Sequence, residues 1–255
     1  MKQAKLFRRV FVYLIAFIAA VVWIGIMRLV LGEQLKEILL DADAPFWPFT
    51  IQNIMWVALF LGFGELFLRW SAAADEENQL KRGYLPTDGR KLDRDTIDKI
   101  RDGIVSRKYG KEAFLPRMIQ RTLDQFKVSG KSDQAISVLN SSLELYMHEI
   151  DLRYSMLRYL TWLIPSLGFI GTVMGIMFAL QYAGVPINAE SEDFLYQVTS
   201  RLGVAFTTTL VALVMSAVLV LLQSVIQSKE ERALNEAGQY CLDNLILRLE
   251  DGENK

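Results

Sequence analysis

The chain of 255 residues is 52% hydrophobic and carries a formal net charge of -1, a balance that is too apolar for a typical soluble protein of this length. The near-neutral charge, with no basic cluster interleaved with aromatic residues, gives no reason to expect a nucleic-acid partner. The single cysteine, Cys241, excludes an internal disulfide and a multi-cysteine metal site. The single histidine, His148, has no metal-ligand spacing around it, and we interpret both as ordinary helix residues.

A basic segment, residues 1–9, precedes an apolar run from Val10 to Ile26. This order resembles the basic and apolar regions of a signal peptide, and alanines within the run could mimic a cleavage site. The run is longer than a typical signal core, which favours an uncleaved first membrane-spanning helix. Arg28 would lie near the far end of this helix, where its side chain can reach the membrane interface.

A second membrane-spanning helix is predicted from Phe46 to Phe67, after a short and mostly acidic connection from Glu33 to Pro45. Trp47 and Trp70 bracket this run in the positions of interface anchors. The first two spans are therefore expected to be joined by a short loop.

Glu65 is the only carboxylate inside the second span. It can be an ion relay, or it can lie at the membrane edge and pair with Arg69 four residues later. We favour the pair, because a charge costs about 3 kcal/mol at the bilayer centre and little at the edge. The relay stays open as the alternative.

Residues 71–157 have the composition of a soluble helical domain, with turns between short helices. Asp93 or Asp95 is expected to cap one helix, Pro116 suits the first turn of the next, and Gly130 ends it. No strand-like alternation is present.

A long helix is predicted to begin with Ser132 as its N-cap. Its apolar positions recur at steps of three, four or seven residues: Ile136, Leu139, Leu143, Tyr146, Ile150 and Leu157. Since no Gly or Pro occurs before Pro165, we expect this helix to run without a break into the membrane.

The third and fourth spans are predicted from Tyr159 to Tyr182 and from Leu202 to Gln223, two runs without a charged residue. The connections Glu33 to Pro45 and Gly184 to Arg201 are acid-rich and are expected on the outer side of the membrane, opposite the cytoplasm. Both termini would then be cytoplasmic, and a charged tail would continue the fourth helix.

The sequence thus predicts an all-α integral membrane protein with four transmembrane helices, a helical cytoplasmic domain and two helices that extend from the membrane into the cytoplasm. Five segments are expected: a basic N-terminus (1–9), two spans with an outer loop (10–70), the cytoplasmic domain (71–157), two further spans (158–227) and a C-terminal helix (228–255).

No nucleophile with a nearby base, ligand cluster or phosphate-binding loop is present, so an enzyme is not indicated. The polar signal lies inside the membrane, where small and hydroxyl residues follow helical spacing. On the third span these are Pro165, Gly168, Thr172, Gly175 and Ala179, with Gly171 beside them, and on the fourth Ala205, Thr209, Ala212 and Ser216.

These two stripes have two interpretations. Small residues and threonines commonly line helix contacts, so packing alone explains them. Threonine hydroxyls can also coordinate a passing cation, but they cannot bind and release a proton at working pH. If the stripes form a conduit, the carboxylate must come from a partner chain.

The segment from Leu167 to Met177, LGFIGTVMGIM, resembles the Gly-Thr-Val signature of the MotA/TolQ/ExbB proton-channel family. The segment from Ala205 to Leu210, AFTTTL, resembles the family's second signature, an Ala-Leu-x-x-Thr run that opens its last membrane helix. The match covers Tyr159 to Gln227, and the four-span layout is similar to the MotA branch. Ala212 and Val218 depart from the ExbB and TolQ type, in which Gly and Pro are common.

The resemblance implies that five copies of the chain surround two copies of a one-span partner of the MotB/TolR/ExbD type, whose membrane Asp carries the ion. It implies that Thr172 and Thr209 line the ion path, with Thr208 adjacent, and that Pro165 is a pivot. The ion would be a proton or a sodium ion, with no cofactor, and its flow in the bacterial inner membrane would drive rotation or force. A non-conducting oligomeric scaffold or signalling subunit is the alternative.

Overall fold

The computed structural model describes residues 2–41, 47–86, 91–106, 113–185 and 192–250. Within them the chain forms eight α-helices and a short 3-10 helix, and the one strand-like feature is a single bridge between Leu92 and Leu249. The helices are α1 (Lys2–Val30), α2 (Glu33–Leu40), α3 (Ile51–Leu80), α4 (Arg94–Ser106), α5 (Phe114–Ser129), α6 (Ser132–Arg153), α7 (Ser155–Ala183), α8 (Phe194–Asn244) and the 3-10 helix Ile246–Arg248.

Four stretches are long and apolar enough to cross a membrane: Leu6–Val30, Ile51–Leu80, Ser132–Ala183 and Phe194–Arg248. The last two each include one turn residue between helices, Tyr154 and Leu245. At a rise of about 1.5 Å per residue, roughly 20 residues cover the hydrocarbon layer. Large apolar side chains cover much of the outside of α1, which is typical of a helix that faces lipid or other helices rather than water. The predicted all-α membrane fold with four spans is confirmed.

The chain forms two compact units. The first, here called the span unit, comprises Met1–Leu68 and Ser155–Ser224, and the second, the polar unit, comprises Arg69–Tyr154 and Val225–Lys255. Helices α3 and α8 contribute residues to both. The limits of the five segments expected from the sequence refer to the membrane and stay a prediction.

In the span unit, α1 packs along α3. The ring centroids of Trp23 and Trp56 lie 5.9 Å apart, and a Cβ on Gly64 would lie 3.1 Å from the nearest side-chain carbon of α1. Arg28 lies in the last turn of α1 as expected, and its guanidinium carbon is 4.3 Å from the ring centroid of Trp47. This cation–π contact joins the end of α1 to the residues that precede α3.

The start of α3 is held against the end of α2 by two hydrogen bonds. Thr50 Oγ1 donates to the carbonyl oxygen of Leu40 at 2.9 Å, and Trp56 Nε1 donates to that of Leu39 at 3.0 Å. Asp41 follows with a left-handed backbone, φ 50°, which ends α2. These contacts position the first turn of α3 in the span unit.

Three features of helix ends in the polar unit agree with the sequence, and of the two capping candidates, Asp93 and Asp95, the structure shows Asp93 in this role. Asp93 precedes α4, and its Oδ1 accepts a hydrogen bond of 3.0 Å from the backbone N–H of Thr96. Pro116 lies in the first turn of α5, where its missing N–H costs nothing. Gly130 ends α5 with φ 66°, a left-handed conformation that favours glycine.

The predicted N-cap of the long helix is wrong. Helix α6 begins at Ser132 itself, so the cap position belongs to Lys131, whose side chain makes no cap hydrogen bond. The two residues before the helix are arranged instead by Ser129, because its Oγ accepts a hydrogen bond of 3.2 Å from the Lys131 N–H. The N-cap position is therefore Lys131, one residue before Ser132, although serine is the better capping residue.

The prediction of an unbroken helix from Ser132 into the third span is also wrong. Tyr154 separates α6 from α7, and its N–H bonds to the carbonyl oxygens of Asp151 and Leu152 rather than continuing the regular ladder. Arg153 and Tyr154 both bind Glu230. Two consecutive side chains therefore meet one carboxylate at the point where the helix is interrupted.

In the described part of the C-terminal tail the α-helix ends at Asn244, short of the predicted extension, and the 3-10 helix Ile246–Arg248 follows. Leu249 then pairs with Leu92, and Arg248 Nη1 donates to the carbonyl oxygen of Pro86 at 2.6 Å. The expected start of the second span at Phe46 lies outside the described residues. So do residues 186–191 of the expected outer loop and the last five residues.

Candidate functional site

The third and fourth spans, α7 and α8, pack against each other through the small residues that the sequence singles out. Gly168 faces Ala212 so closely that a Cβ on the glycine would collide with the alanine. Further along, a Cβ on Gly175 would lie 2.6 Å from Cβ of Ala205. The helices run antiparallel here, since a later residue of α7 meets an earlier one of α8. The two predicted stripes thus meet each other within one chain.

Thr172 and Thr209 face each other between these contacts, and their hydroxyl groups are hydrogen-bonded. Thr209 Oγ1 also lies 2.9 Å from the carbonyl oxygen of Gly168. Thr172 Oγ1 lies 3.0 Å from the carbonyl oxygen of Ala205 and 3.2 Å from that of Gly168. A hydroxyl has one hydrogen to donate, so each threonine can satisfy only one of these oxygens at a time.

This pair can offer oxygen lone pairs to a cation or to water, but it cannot take up a proton at neutral pH. Between Tyr159 and Tyr182, and between Leu202 and Gln223, the chain contains no charged residue. A group that binds a proton beside the pair must therefore come from outside these two stretches.

Thr208, which the resemblance placed beside the ion path, points to a different neighbour. Its Oγ1 donates to the carbonyl oxygen of Val204 at 2.8 Å and accepts a hydrogen bond of 2.9 Å from Gln52 Nε2 of α3. Its methyl group faces Gly171, where a Cβ would lie 2.5 Å away. The structure brings Thr172 and Thr209 together and turns Thr208 toward the second span.

Sequence reasoning did not single out Gln52. Its only sequence signal is an uncharged amide at the start of an apolar run, next to Asn53. Single amides of this kind have no periodicity, so the contact with Thr208 could be found only in three dimensions.

Pro165 lies inside α7 and interrupts the hydrogen bonds of one helical turn. Ser216 of α8 lies opposite this turn. Proline has no N–H, so the carbonyl oxygen of Thr161, four residues earlier, loses its partner in the helix. Ser216 Oγ donates to this oxygen at 2.9 Å. Ser216, expected only as a packing residue, therefore restores the hydrogen bond that Pro165 removes, while the pivot stays a prediction.

Glu65 lies between α3 and α1 with only 2% of its surface exposed. Tyr13 Oη donates to its Oε2 at 2.5 Å, and Arg9 Nη2 lies 4.0 Å from its Oε1. The carboxylate is thus held by a phenol and a guanidinium of the first span. The relay and the pairing with Arg69 both stay predictions.

A charged cluster in the polar unit was not foreseen. Glu230 has no exposed surface, and it accepts hydrogen bonds from Arg153 Nη1 at 2.9 Å and from Tyr154 Oη at 3.1 Å. Arg153 Nη2 also donates to Glu149 Oε1 at 2.6 Å. Buried charges require such pairing, because an unpaired charge in the interior costs several kcal/mol.

Glu76 belongs to the same unit and lies beyond the apolar part of α3. Its Oε2 accepts a hydrogen bond of 2.9 Å from the N–H of Phe114, the first residue of α5. Burial raises the pKa of Glu76 to about 7, although the Phe114 N–H, Arg153 and Arg117 oppose the shift and Glu230 adds to it. This carboxyl therefore titrates near neutral pH.

Cys241 is fully buried in the polar unit, and burial raises the pKa of its thiol to about 12. This environment agrees with a packing role. In the part of the chain that the structure describes, no group of three or more His, Cys, Asp and Glu side chains could hold a metal ion.

Residues 110–238 match the model of a family described as the MotA/TolQ/ExbB proton channel family. The chain belongs to this family. Searches of curated proteins and of solved structures found no match. The part of this MotA/TolQ/ExbB chain that matches contains the threonine pair, Pro165 and both small-residue stripes, whereas Gln52 and Glu65 lie outside it.

Membership confirms the resemblance and gives the chain a function of ion-channel type in a multi-pass membrane protein. The family is one of membrane channels that work in oligomers with partner proteins, and it is not an enzyme family. The absence of a cofactor stays a prediction.

Proposed function

We propose that this chain is the ion-conducting subunit of a membrane motor, in which a flow of protons or sodium ions is coupled to rotation or mechanical force. The observation that carries the proposal is the pair formed by Thr172 and Thr209, which places two hydroxyls face to face between uncharged spans. The pair lies in the region that matches a proton channel family. Hydroxyl oxygens can replace part of the water shell of a passing ion.

The proposal includes a one-span partner of the MotB/TolR/ExbD type, whose membrane Asp carries the ion. Two copies of this partner would lie inside a ring of five copies of the chain. The missing charge in the third and fourth spans supports a partner carboxylate. Exposed apolar side chains on α7 and α8, including Phe169, Leu180 and Leu210, require cover by lipid or by other chains.

The complex would lie in the bacterial inner membrane with both termini of the chain in the cytoplasm. The support is the charge pattern, because basic residues flank the first span at its N-terminal end while the connection from Glu33 to Pro45 is mostly acidic.

Thr209→Val tests the ion path. Valine keeps the shape of threonine and removes the hydroxyl, so the complex should assemble. Ion uptake by liposomes that contain the chain and its partner should fall about tenfold or more, the usual effect of losing one hydrogen bond to a charged group. The measurement is potential-driven uptake of protons or sodium ions, corrected for the amount of assembled complex.

Thr207→Val is the matched control. Thr207 Oγ1 bonds to the carbonyl oxygens of Gly203 and Val204 in its own helix, at 3.1 and 3.0 Å. This variant should conduct like the wild type. Normal uptake by the Thr209→Val complex would refute the proposed path.

A second candidate function is that of a non-conducting oligomeric scaffold or signalling subunit. It is favoured by the carbonyl oxygens of Gly168 and Ala205, which already satisfy both threonine hydroxyls, as packing threonines in membranes often are. Under this function the assembled wild-type complex would take up neither protons nor sodium ions. Uptake by that complex would exclude it.

A further inference from the structure

A buried amide of the second span reaches the fourth span next to the threonine pair. Gln52 lies in the first turn of α3, and its Nε2 donates to Thr208 Oγ1 at 2.9 Å. Each of the two residues has only 2% of its surface exposed. An amide in an apolar environment costs free energy unless it is hydrogen-bonded, so the Gln52 amide depends on Thr208 for this bond. Gln52 lies outside residues 110–238, and family membership therefore does not account for it.

Thr208 is held on three sides. Its hydroxyl hydrogen goes to the carbonyl oxygen of Val204, which leaves its lone pairs for Gln52. Its methyl group fills the space that Gly171 leaves on α7. The side chain therefore has one orientation, with the hydroxyl toward α3 and the methyl group toward α7.

The directions of Thr208 and Thr209 are coupled, because both side chains turn with α8. Consecutive helix residues point about 100° apart, so a fourth span that directs one side chain toward α3 directs the next toward Thr172 on α7. A rotation of α8 by about 20° would move its Cα atoms by roughly 0.8 Å. That shift would break hydrogen bonds such as the one of 2.9 Å between Thr209 and Gly168.

We propose that Gln52 is a positioning residue for the ion path, whose amide holds Thr209 against Thr172 by fixing Thr208. The inference rests on the proposed function. Gln52 does not touch the ion in this role. Its contribution is to keep α8 at the rotation that brings the two threonine hydroxyls together.

The experiment measures ion uptake by liposomes that contain the full chain and its one-span partner, at a series of ion concentrations. Gln52→Met keeps the length of the side chain and removes the donor, while Thr208→Val keeps the shape and removes the acceptor. Each should raise the half-saturating ion concentration or lower maximal uptake by about fivefold, the effect of one hydrogen bond. Thr208→Ser, which keeps the hydroxyl that accepts the bond from Gln52, should keep uptake near that of the wild type.

The double variant with Gln52→Met and Thr208→Val separates positioning from stability. Replacing both partners by apolar groups of similar shape is nearly neutral for folding, so this complex should assemble as the wild type does. Its uptake should stay as low as that of either single variant, because all three lack the same hydrogen bond. Thr207→Val again serves as the control.

Three results would overturn the inference. Wild-type uptake by the assembled double variant, with Thr209→Val inactive, would remove the role of Gln52 and leave the proposed function intact. A loss of uptake that only follows the loss of assembled complex would assign Gln52 a structural role. Wild-type uptake by Thr209→Val would remove the proposed path and the inference with it.

Discussion

Thr172 and Thr209 bring together more hydrogen-bond acceptors than hydrogens. Two hydroxyl oxygens and the carbonyl oxygens of Gly168 and Ala205 converge, while the hydroxyls supply only two hydrogens. Oxygen lone pairs in an apolar environment attract positive charge. At the scale of single residues, this arrangement fits both the proposed ion path and a packed helix contact, and the Thr209→Val measurement decides between them.

A prediction at the residue scale concerns the effect of pH on Glu76. The pKa of this carboxyl is about 7 in the folded chain and 4.5 in the reference state, so the folded state holds the proton over that interval. The contribution of Glu76 to the free energy of unfolding is therefore fully present below about pH 4.5 and is lost as the pH rises through about 7, by up to about 3 kcal/mol. Thermal unfolding in detergent between pH 5 and 8 should show this fall, and Glu76→Gln should remove most of it.

Glu77→Gln is the control for this measurement. Glu77 is adjacent and half-exposed, and its Oε2 lies 3.2 Å from Lys229 Nζ. The charged groups that face Glu76 are Arg117 of α5, Arg153 and Glu230, and they are unchanged in both variants. A Glu76→Gln protein with the full pH dependence would show that another group is responsible.

At the scale of elements, the contact between α7 and α8 contains a proline whose lost hydrogen bond is replaced from the other helix. Ser216→Ala should therefore leave the Thr161 carbonyl oxygen unpaired, at a cost of about 1 kcal/mol. Hydrogen exchange of the amides around Pro165 should become about fivefold faster. Pro165→Ala restores an N–H to α7, so Ser216→Ala should have little further effect in that background.

Ser166→Ala is the matched control. Ser166 Oγ donates to the carbonyl oxygen of Trp162 in its own helix at 2.9 Å, so its loss leaves the contact between helices unchanged. Equal effects of Ser216→Ala in the wild-type and Pro165→Ala proteins would contradict the replacement of the lost bond.

The elements that depend on local composition could be predicted from the sequence. Apolar runs long enough to cross a membrane, the Asp93 cap and the Gly130 terminus each follow from a few neighbouring residues. The break at Tyr154 could not be predicted, since it contains neither Gly nor Pro, and the bond from Tyr154 to Glu230 joins residues 76 apart in the chain. The cap of α6 was missed because Ser129 and Lys131 already arrange the preceding turn.

The residues of the candidate site could be predicted from the sequence, but not all of their contacts. The stripes containing Gly168 and Ala212 follow helical spacing, so their faces could be read from the sequence, although their meeting within one chain could not. Thr208 was grouped with its neighbours because the residues 207–209 are alike in sequence. Only the contact with Gln52, 156 residues away, shows that Thr208 and Thr209 point to different helices.

At the scale of the whole molecule, charge is distributed very unevenly along the chain. The chain has 28 basic and 29 acidic residues, yet none lies between Tyr159 and Tyr182 or between Leu202 and Gln223. Glu65, the carboxylate of the second span, is held by Tyr13 and Arg9 of the first. The two spans that match the channel family therefore contain hydroxyl oxygens but no group that can bind and release a proton at neutral pH.

This division predicts that the chain alone does not conduct. Liposomes that contain only this chain should show no ion uptake above that of empty liposomes, and co-reconstitution with the proposed one-span partner should produce uptake. If that partner carries the proposed membrane Asp, changing it to Asn should abolish uptake without preventing assembly, because an amide cannot carry the proton or balance the charge of a sodium ion. The amount of complex, measured after purification, is the control. Uptake by the chain alone at the rate of the complex would show that the charge-carrying group lies within this chain, and Glu65 would then be the first residue to replace.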